Sequence, residues 1–230
     1  QAFGESIAQL AENDTAIECI TAAMEIGTGM SAFTKKFPDR YIDVGIAEEH
    51  AVTYASGLAG AGKKPIVAIY STFLQRAFDC IFHDGLLQDL PIIYCMDRSG
   101  LVGPDGPTHH GVFDISMLRM LPNMVVTAPK DGNELRNLLA TATTSKKSFS
   151  IRYPKGSSRK FDINRAPEIL KIGVWEELTK GAKIAILASG SMVGIVEDNL
   201  KTISETLGFT PTLINARFIK PLDKSMLLSL

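Results

Sequence analysis

A series of short apolar runs constrains this chain more than any other feature. Pro65-Ile-Val-Ala-Ile-Tyr70 carries no polar residue and shows no alternation. A strand reads that way when both of its faces are covered. Leu90–Met96 and Met124–Ala128 repeat the pattern, and Ser148–Tyr153 closes the series. Segments of helical spacing lie between the runs. Phe73, Leu74, Ala77, Phe78 and Ile81 form one stripe behind Thr72-x-x-Gln75, which reads as a capping box. Leu135, Leu138 and Leu139 form another behind Asp131-x-x-Glu134. A helix over Phe3–Glu12 and a strand over Ala16–Ile20 precede them, and short helices fall near Ala32–Phe37 and Ile115–Leu121. Strands alternating with helices predict an α/β fold, with a parallel sheet, helices on both faces and right-handed crossovers.

The pattern then pauses. Residues 154–167 are rich in Pro, Gly, Ser and charge, as a linker is. Beyond them a strand (Lys183–Ser189), a helix (Met192–Leu207) and a strand (Thr210–Asn215) begin a second α/β domain without completing it. The expected division is therefore 1–153, a linker over 154–167, and 168–230. Both ends read as cut: Phe3–Leu10 is a helix already in progress, and Asp223–Leu230 is one just begun behind an Asp cap. The chain is expected to be a fragment of a longer polypeptide.

Charge narrows the function classes. Lys plus Arg number 24 and Asp plus Glu 25, so no basic excess exists to hold a nucleic acid. No apolar run approaches the length of a membrane span. Cys19, Cys80 and Cys95 are far apart, with no C-x-x-C spacing, and read as buried free thiols of a reducing compartment.

The informative junction is Tyr41-Ile-Asp-Val-Gly-Ile-Ala-Glu-Glu-His50. A short strand, Tyr41–Val44, meets Gly45, and small residues then recur at helical spacing: Ala47, Ala51, Ala55 and Ala59. That helix, over 47–61, is expected to be buried all round or packed at a subunit contact. In an open parallel sheet, ligands bind where strands hand over to helices. Glu48 is then either an acid of the site or a first-turn Glu favoured by the helix dipole; Glu49 reads as the latter. Other polar or aromatic residues also follow strands: Tyr70, Phe73, Arg98, Asp105, His109 and Arg152. Each has a plainer reading. Tyr70 and Phe73 are commonly core aromatics, the arginines surface charges, and Asp105-Gly106 a turn. His109 and His110 lack a third metal ligand at useful spacing. His83 reads as structural, and Arg76 as a helix residue one turn from Phe73. Gly27-x-Gly29 and Gly57–Gly62 lack the strand–glycine–helix context of a phosphate loop. Taken together, a carboxylate, an aromatic shelf, two arginines and a histidine loop suit a flat heteroaromatic cofactor and a phosphorylated substrate.

The runs DVGIAEEHAVTYASGLA, AIYSTFLQRAFDCIFHD, MDRSGLVGPDGPTHHGVFD, LPNMVVTAP and RYPKG resemble the 1-deoxy-D-xylulose-5-phosphate synthase family of transketolase-like enzymes. The likeness runs almost unbroken from Met24 to Gly156 and returns more weakly in Ala216–Asp223. DGPTH is shared with transketolases at large; IYSTFLQRA and GIAEEHAV are more specific to the synthases. Glu49 departs from the family's common Gln.

That resemblance implies a pyrimidine-binding domain followed by the start of a transketolase C-terminal domain. It implies thiamine diphosphate as cofactor, with Mg²⁺ ligands in a preceding domain whose metal motif is absent here. It assigns Glu48 to N1′ of the aminopyrimidine and stacks Phe73 on that ring, with Tyr70 and Arg76 beside the cofactor. It places Tyr70, Arg98, Asp105, His109 and Arg152 around the acceptor substrate, with both arginines on its phosphate and His109 moving protons. The implied reaction condenses pyruvate with glyceraldehyde 3-phosphate, with loss of CO₂. A homodimer in the bacterial cytoplasm is implied, and a mature plastid enzyme is the other setting. Two other readings stand beside it. One is a transketolase or a 2-oxo-acid dehydrogenase β-subunit. The other is a non-catalytic dimerisation module.

Overall fold

The structure is a computed structural model describing residues 1–230. Ten strands are present: β1 (Ile17–Thr21), β2 (Tyr41–Asp43), β3 (Lys64–Tyr70), β4 (Ile93–Asp97), β5 (Met124–Thr127), β6 (Ser148–Arg152), β7 (Glu176–Thr179), β8 (Ala185–Ala188), β9 (Thr212–Asn215) and β10 (Phe218–Lys220). Seven form one sheet in the order β10-β5-β6-β4-β3-β1-β2. All pairs in it are parallel except β10 against β5. The other three form a small sheet, β7-β9-β8.

Both faces of the large sheet are covered, as the unbroken apolar runs require. Ile66 and Ala68 of β3, Ile93 and Cys95 of β4, and Phe149 and Ile151 of β6 face one way. They pack on Phe3 and Ile7 of helix Ala2–Asn13, Phe33 of helix Ser31–Lys36, and Leu135, Leu138 and Leu139 of helix Gly132–Thr144. The intervening residues Val67, Ile69, Tyr94, Met96 and Val126 face the other way. They meet Ala51, Val52 and Ala55 of helix Glu48–Gly60, with Leu74, Ala77, Ile81 and Leu118. Adjacent residues of one strand thus serve two cores, which removes the polar alternation of a half-exposed strand.

Helix Glu48–Gly60 is not buried all round. Glu48, Ala51, Val52, Ala55, Ser56 and Ala59 are buried, whereas Glu49, His50, Thr53, Tyr54 and Gly57 are exposed. Its small residues serve close approach of one face to β3. The Thr72 capping box does not form either. Helix Ser71–Leu74 begins two residues earlier, with Tyr70 at its cap, so Thr72 lies inside it, and the Gln75 amide donates to the Thr72 carbonyl at 2.8 Å. Past Leu74 the chain passes through a 3₁₀ turn, a short α turn and a π turn over Ile81–Gly85. The Asp131 cap does form, its carboxylate accepting from Glu134 N at 2.9 Å. Cys19 and Cys95 are buried, and burial pushes both thiols up in pKa; Cys80 is only half-buried.

Residues 154–167 have neither helix nor strand but lie against helix Gly132–Thr144. Ser158 Oγ accepts from Gly132 N at 2.6 Å, and the Asp162 carbonyl accepts from Arg136 at 3.1 Å. Strands β7 and β10, unmarked by any apolar run, tie the second part to the first. β10 extends the large sheet, and a polar cluster seals the junction. Buried Glu134 accepts from Asn215 at 2.8 Å and from Arg217 at 3.3 Å, while Glu176 accepts from Lys130 at 2.6 Å. No helix is long and apolar enough to cross a membrane.

Candidate active site at the strand ends

The Asp43–Glu48 turn needs a residue in the left-handed region, and Gly45 has φ +71°. The Asp43 carboxylate accepts from Gly45 N at 3.0 Å and from Ala23 N at 2.7 Å, which fastens the end of β2 to the turn after β1. Helix Glu48–Gly60 therefore starts in a defined place. Glu48, its first residue, is 1% exposed. A carboxylate sealed to that degree needs a partner. It has one: Arg76 Nη1 donates to Glu48 Oε1 at 2.7 Å. Arg76, half-exposed, also lies over the Phe73 ring at 5.1 Å.

From there the contacts run on without a gap. Phe73 stacks on Tyr70 with ring centroids 6.0 Å apart. His109 meets Phe73 edge-on at 5.3 Å and Tyr70 at 6.3 Å. The Arg98 guanidinium lies 3.9 Å over the opposite end of this cluster, on the Tyr70 ring. Arg98 Nε stands 3.7 Å from Asp105, too far for a hydrogen bond, and is buried without a partner. Glu48, Arg76, Phe73, Tyr70, His109, Arg98 and Asp105 thus form one contiguous cluster at the carboxyl ends of the parallel strands.

Arg152 stands apart from these contacts. It ends β6 on the same face as its register partner Met96, and its Nε donates to Asp114 Oδ2 at 2.7 Å. Asp114 is 2% exposed, and nothing in its sequence setting distinguished it from an ordinary first-turn acid. Gly27 was also missed. Its carbonyl accepts from Arg98 Nη1 at 2.6 Å, and a β-carbon there would overlap the Tyr70 hydroxyl. Gly27 is therefore the seat of the Tyr70–Arg98 pair.

The loop from Arg98 to Asp114 is clamped at its base. Gly100 and Gly111 exchange backbone hydrogen bonds at 2.7 and 2.9 Å, and a β-carbon on Gly111 would overlap Ser71. Arg98 itself has φ +58°, an uncommon conformation for a side chain of that size. His110 Nδ1 accepts from Val102 N at 3.2 Å, a bond internal to the loop. His109 Nδ1 lies 3.0 Å from Thr108 Oγ1, which leaves Nε2 as its free ring nitrogen. His83 pairs with Asp79 at 2.8 Å, remote from the cluster in its contacts, while Asp84 accepts from Thr53.

Electrostatics follow from burial and pairing. The Lys155 ammonium beside Asp105 holds its carboxyl below the usual range, with Arg98 and His109 adding to the effect. Burial pushes Asp97 up against the opposing pull of Arg98, and burial likewise raises Tyr70. The arrangement offers a buried acid beside an aromatic shelf, a histidine with one free nitrogen, and two arginines. No group of three His, Cys, Asp or Glu side chains gathers in a way that could hold a metal ion.

Comparison with known proteins identifies the family. The family description "Transketolase, pyrimidine binding domain" matches residues 1–160, and "Transketolase, C-terminal domain" matches residues 173–230. The chain is 51% identical over 226 residues to 1-deoxy-D-xylulose-5-phosphate synthase 1 of Geobacter sulfurreducens, covering 98% of this chain and 35% of that protein. It is 53% identical over 223 residues to the synthase of Dictyoglomus thermophilum, covering 97% of this chain and 36% of that one. The chain therefore spans little more than a third of the length of these relatives. Among solved structures, a split-gene transketolase described as an inactive β4 tetramer superposes with a TM-score of 0.87 at 26% identity, covering 99% of this chain and 74% of that one. A transketolase of Pichia stipitis shares the fold, with a TM-score of 0.78 at 22% identity over 96% of this chain and 35% of that one. This chain belongs to the transketolase pyrimidine-binding domain family, and its residues 173–230 match the transketolase C-terminal domain.

Proposed function

We propose that these residues form the pyrimidine-binding half of a 1-deoxy-D-xylulose-5-phosphate synthase, dependent on thiamine diphosphate. The observation that carries this reading is Glu48. It is a sealed carboxylate at a strand–helix junction, joined through Arg76 to an aromatic shelf. Those groups suit an aminopyrimidine: Glu48 would hold it at N1′ and Phe73 would stack on the ring, with Tyr70 and Arg76 bordering it. No cluster of metal-ligating side chains gathers here, and in this proposal the Mg²⁺ and the diphosphate it anchors belong to a domain outside these residues. In the same proposal 1–153 is the pyrimidine-binding domain, 154–167 a linker and 168–230 the start of the C-terminal domain.

The cofactor, when bound, supplies the carbanion chemistry; the protein supplies orientation and proton traffic. Glu48, with Oε1 held by Arg76, would present Oε2 to the pyrimidine nitrogen from a position closed to water. His109 exchanges a proton with substrate through Nε2, because Nδ1 is engaged by Thr108. Arg152 offers both Nη atoms to the acceptor phosphate, because only Nε has a protein partner. Arg98 spends Nη1 on Gly27 and Asp97 and adds its charge for the same phosphate. Asp105 completes the acceptor pocket. The substrates are pyruvate and glyceraldehyde 3-phosphate, and the setting is a homodimer in the bacterial cytoplasm.

Purified full-length enzyme, supplied with thiamine diphosphate, Mg²⁺, pyruvate and glyceraldehyde 3-phosphate, is expected to release CO₂ and form 1-deoxy-D-xylulose 5-phosphate. Two-carbon transfer from a ketose phosphate without CO₂ would place it among the transketolases. Glu48→Gln is expected to abolish most turnover while the cofactor's dissociation constant changes far less. Near-normal turnover in that variant would remove Glu48 from the site. The 230 residues alone are expected to give no product.

A further inference from the structure

Asp114 is the most deeply sealed acid near the site that the proposed chemistry leaves unused. It opens helix Asp114–Met120, where an acid is ordinarily explained by the helix dipole. The dipole favours a carboxylate at the surface of a first turn and does not compensate one that is 2% exposed. The cation that compensates it is Arg152, through Nε at 2.7 Å, and no other cation pairs with it. Arg152 is itself largely covered, its side chain 18% exposed.

The choice of atom matters. A guanidinium presents two hydrogen-bonding edges to planar anions. Asp114 occupies Nε, and neither Nη atom has a protein partner. Arg98 is bound in the reverse sense, with Nη1 committed to Gly27 O and Asp97 and with Nε buried and unpartnered. The backbone around Asp114 is fixed as well, because the loop that delivers it is clamped at Gly111 against Gly100 and Ser71. Both ends of the Arg152–Asp114 pair therefore rest on rigid parts: the last residue of a central strand, and the first turn after a pinned loop.

We infer that Asp114 is a positioning residue that orients Arg152, turning its paired Nη atoms to the phosphate of the acceptor substrate. This rests on the acceptor-phosphate role proposed for Arg152 above. In that role Asp114 touches no substrate. It removes the rotamer freedom of a long side chain before the ligand arrives, a cost otherwise met on binding.

The test uses full-length enzyme carrying Asp114→Ala, Asp114→Asn, Arg152→Ala, or Asp114→Ala with Arg152→Ala. KM is measured for glyceraldehyde 3-phosphate, for unphosphorylated D-glyceraldehyde and for pyruvate. Binding of glycerol 3-phosphate, an unreactive phosphate ester, is measured by calorimetry. Asp114→Ala is expected to weaken both phosphorylated ligands by about tenfold, the size of one charge-assisted hydrogen bond. D-glyceraldehyde and pyruvate are expected to be unaffected. Asp114→Asn keeps an oxygen for Nε and is expected to lose less; it also carries the test if the alanine variant does not fold. In the Arg152→Ala background, Asp114→Ala is expected to add nothing. If Arg152→Ala weakens the phosphorylated ligands while both Asp114 variants match the wild type, the positioning role is wrong. Equal losses for phosphorylated and unphosphorylated acceptors in the Asp114 variants would also overturn it. If Arg152→Ala itself leaves glyceraldehyde 3-phosphate unchanged, the phosphate assignment falls first and takes this inference with it.

Discussion

Gly27→Ala sets two physical rules against each other at the centre of the site. Gly27 lies in the short helix Glu25–Thr28 and outside the left-handed region, so its backbone accepts alanine. Helix propensity alone then predicts a gain of about 1 kcal/mol. Packing predicts the opposite. The new β-carbon would overlap the Tyr70 hydroxyl and stand 2.7 Å from Cζ of that ring. Tyr70 cannot yield freely, because Arg98 covers one face at 3.9 Å and Phe73 stacks at 6.0 Å. Overpacking of this kind costs roughly 1–3 kcal/mol, and disturbing the cation–π contact roughly 0.5–2 kcal/mol more. The packing cost outweighs the propensity gain, leaving a net loss of about 0.5–4 kcal/mol. For a chain of this size, that lowers the melting temperature by roughly 1–16 °C. Differential scanning calorimetry measures it. Tyr70→Phe removes the overlapping oxygen but leaves Cζ too close, so the double variant is expected to recover part of the loss. A stabilised Gly27→Ala variant, or the absence of coupling with Tyr70→Phe, would show that Tyr70 moves aside at no cost and that the shelf is not rigid.

Other outcomes follow from the same contacts. Arg76→Ala strands the sealed Glu48 carboxylate. The pair is half-exposed on the arginine side, so the loss should lie between the ~0–1 kcal/mol of a surface pair and the ~3–5 kcal/mol of a buried one. Thermal unfolding should show most of that loss disappear in a Glu48→Gln background, where no charge is stranded. Asn215→Ala removes a donor to both Glu134 and Glu176 and should cost about 1–3 kcal/mol by urea titration. Asp223 accepts from Met226 N and Trp175 N, each at 2.9 Å, and the bond from Met226 leads in holding its carboxyl below the usual range. Its contribution is therefore complete above an unfolded value of about 3.9 and is lost as pH falls through the folded one. The stability gap between wild type and Asp223→Asn, followed by unfolding at a series of pH values, should close on acidification.

Much of the fold was legible because burial on two faces leaves a mark in linear sequence. β3, β4 and β5 announced themselves as apolar runs, and helix Met192–Leu207 by its spacing. Elements whose stability comes from neighbours were not visible. β7 is polar, and β10 is three residues long and exists through its pairing with β5. The Thr72-x-x-Gln75 pattern misled because the turn at Tyr70 lets the helix begin at Ser71, drawing Thr72 inside. Of the two expectations for the small-residue helix, burial all round fails, because small side chains mark close approach on one face as readily as burial on all.

The sequence by itself determined the α/β class, the junction at Gly45 and the candidate residues, because strand period, helix period and turn chemistry are local. Which of those residues meet was decided by tertiary structure. The sheet order brings the ends of β2, β3 and β4 together, so that Glu48 finds Arg76 and Tyr70 finds Gly27, Arg98 and His109. Asp114 shows the difference most plainly. On the page it is one acid at the start of one short helix. In the fold it is sealed from water and must therefore hold a cation, and the cation within reach is Arg152 at the end of a central strand.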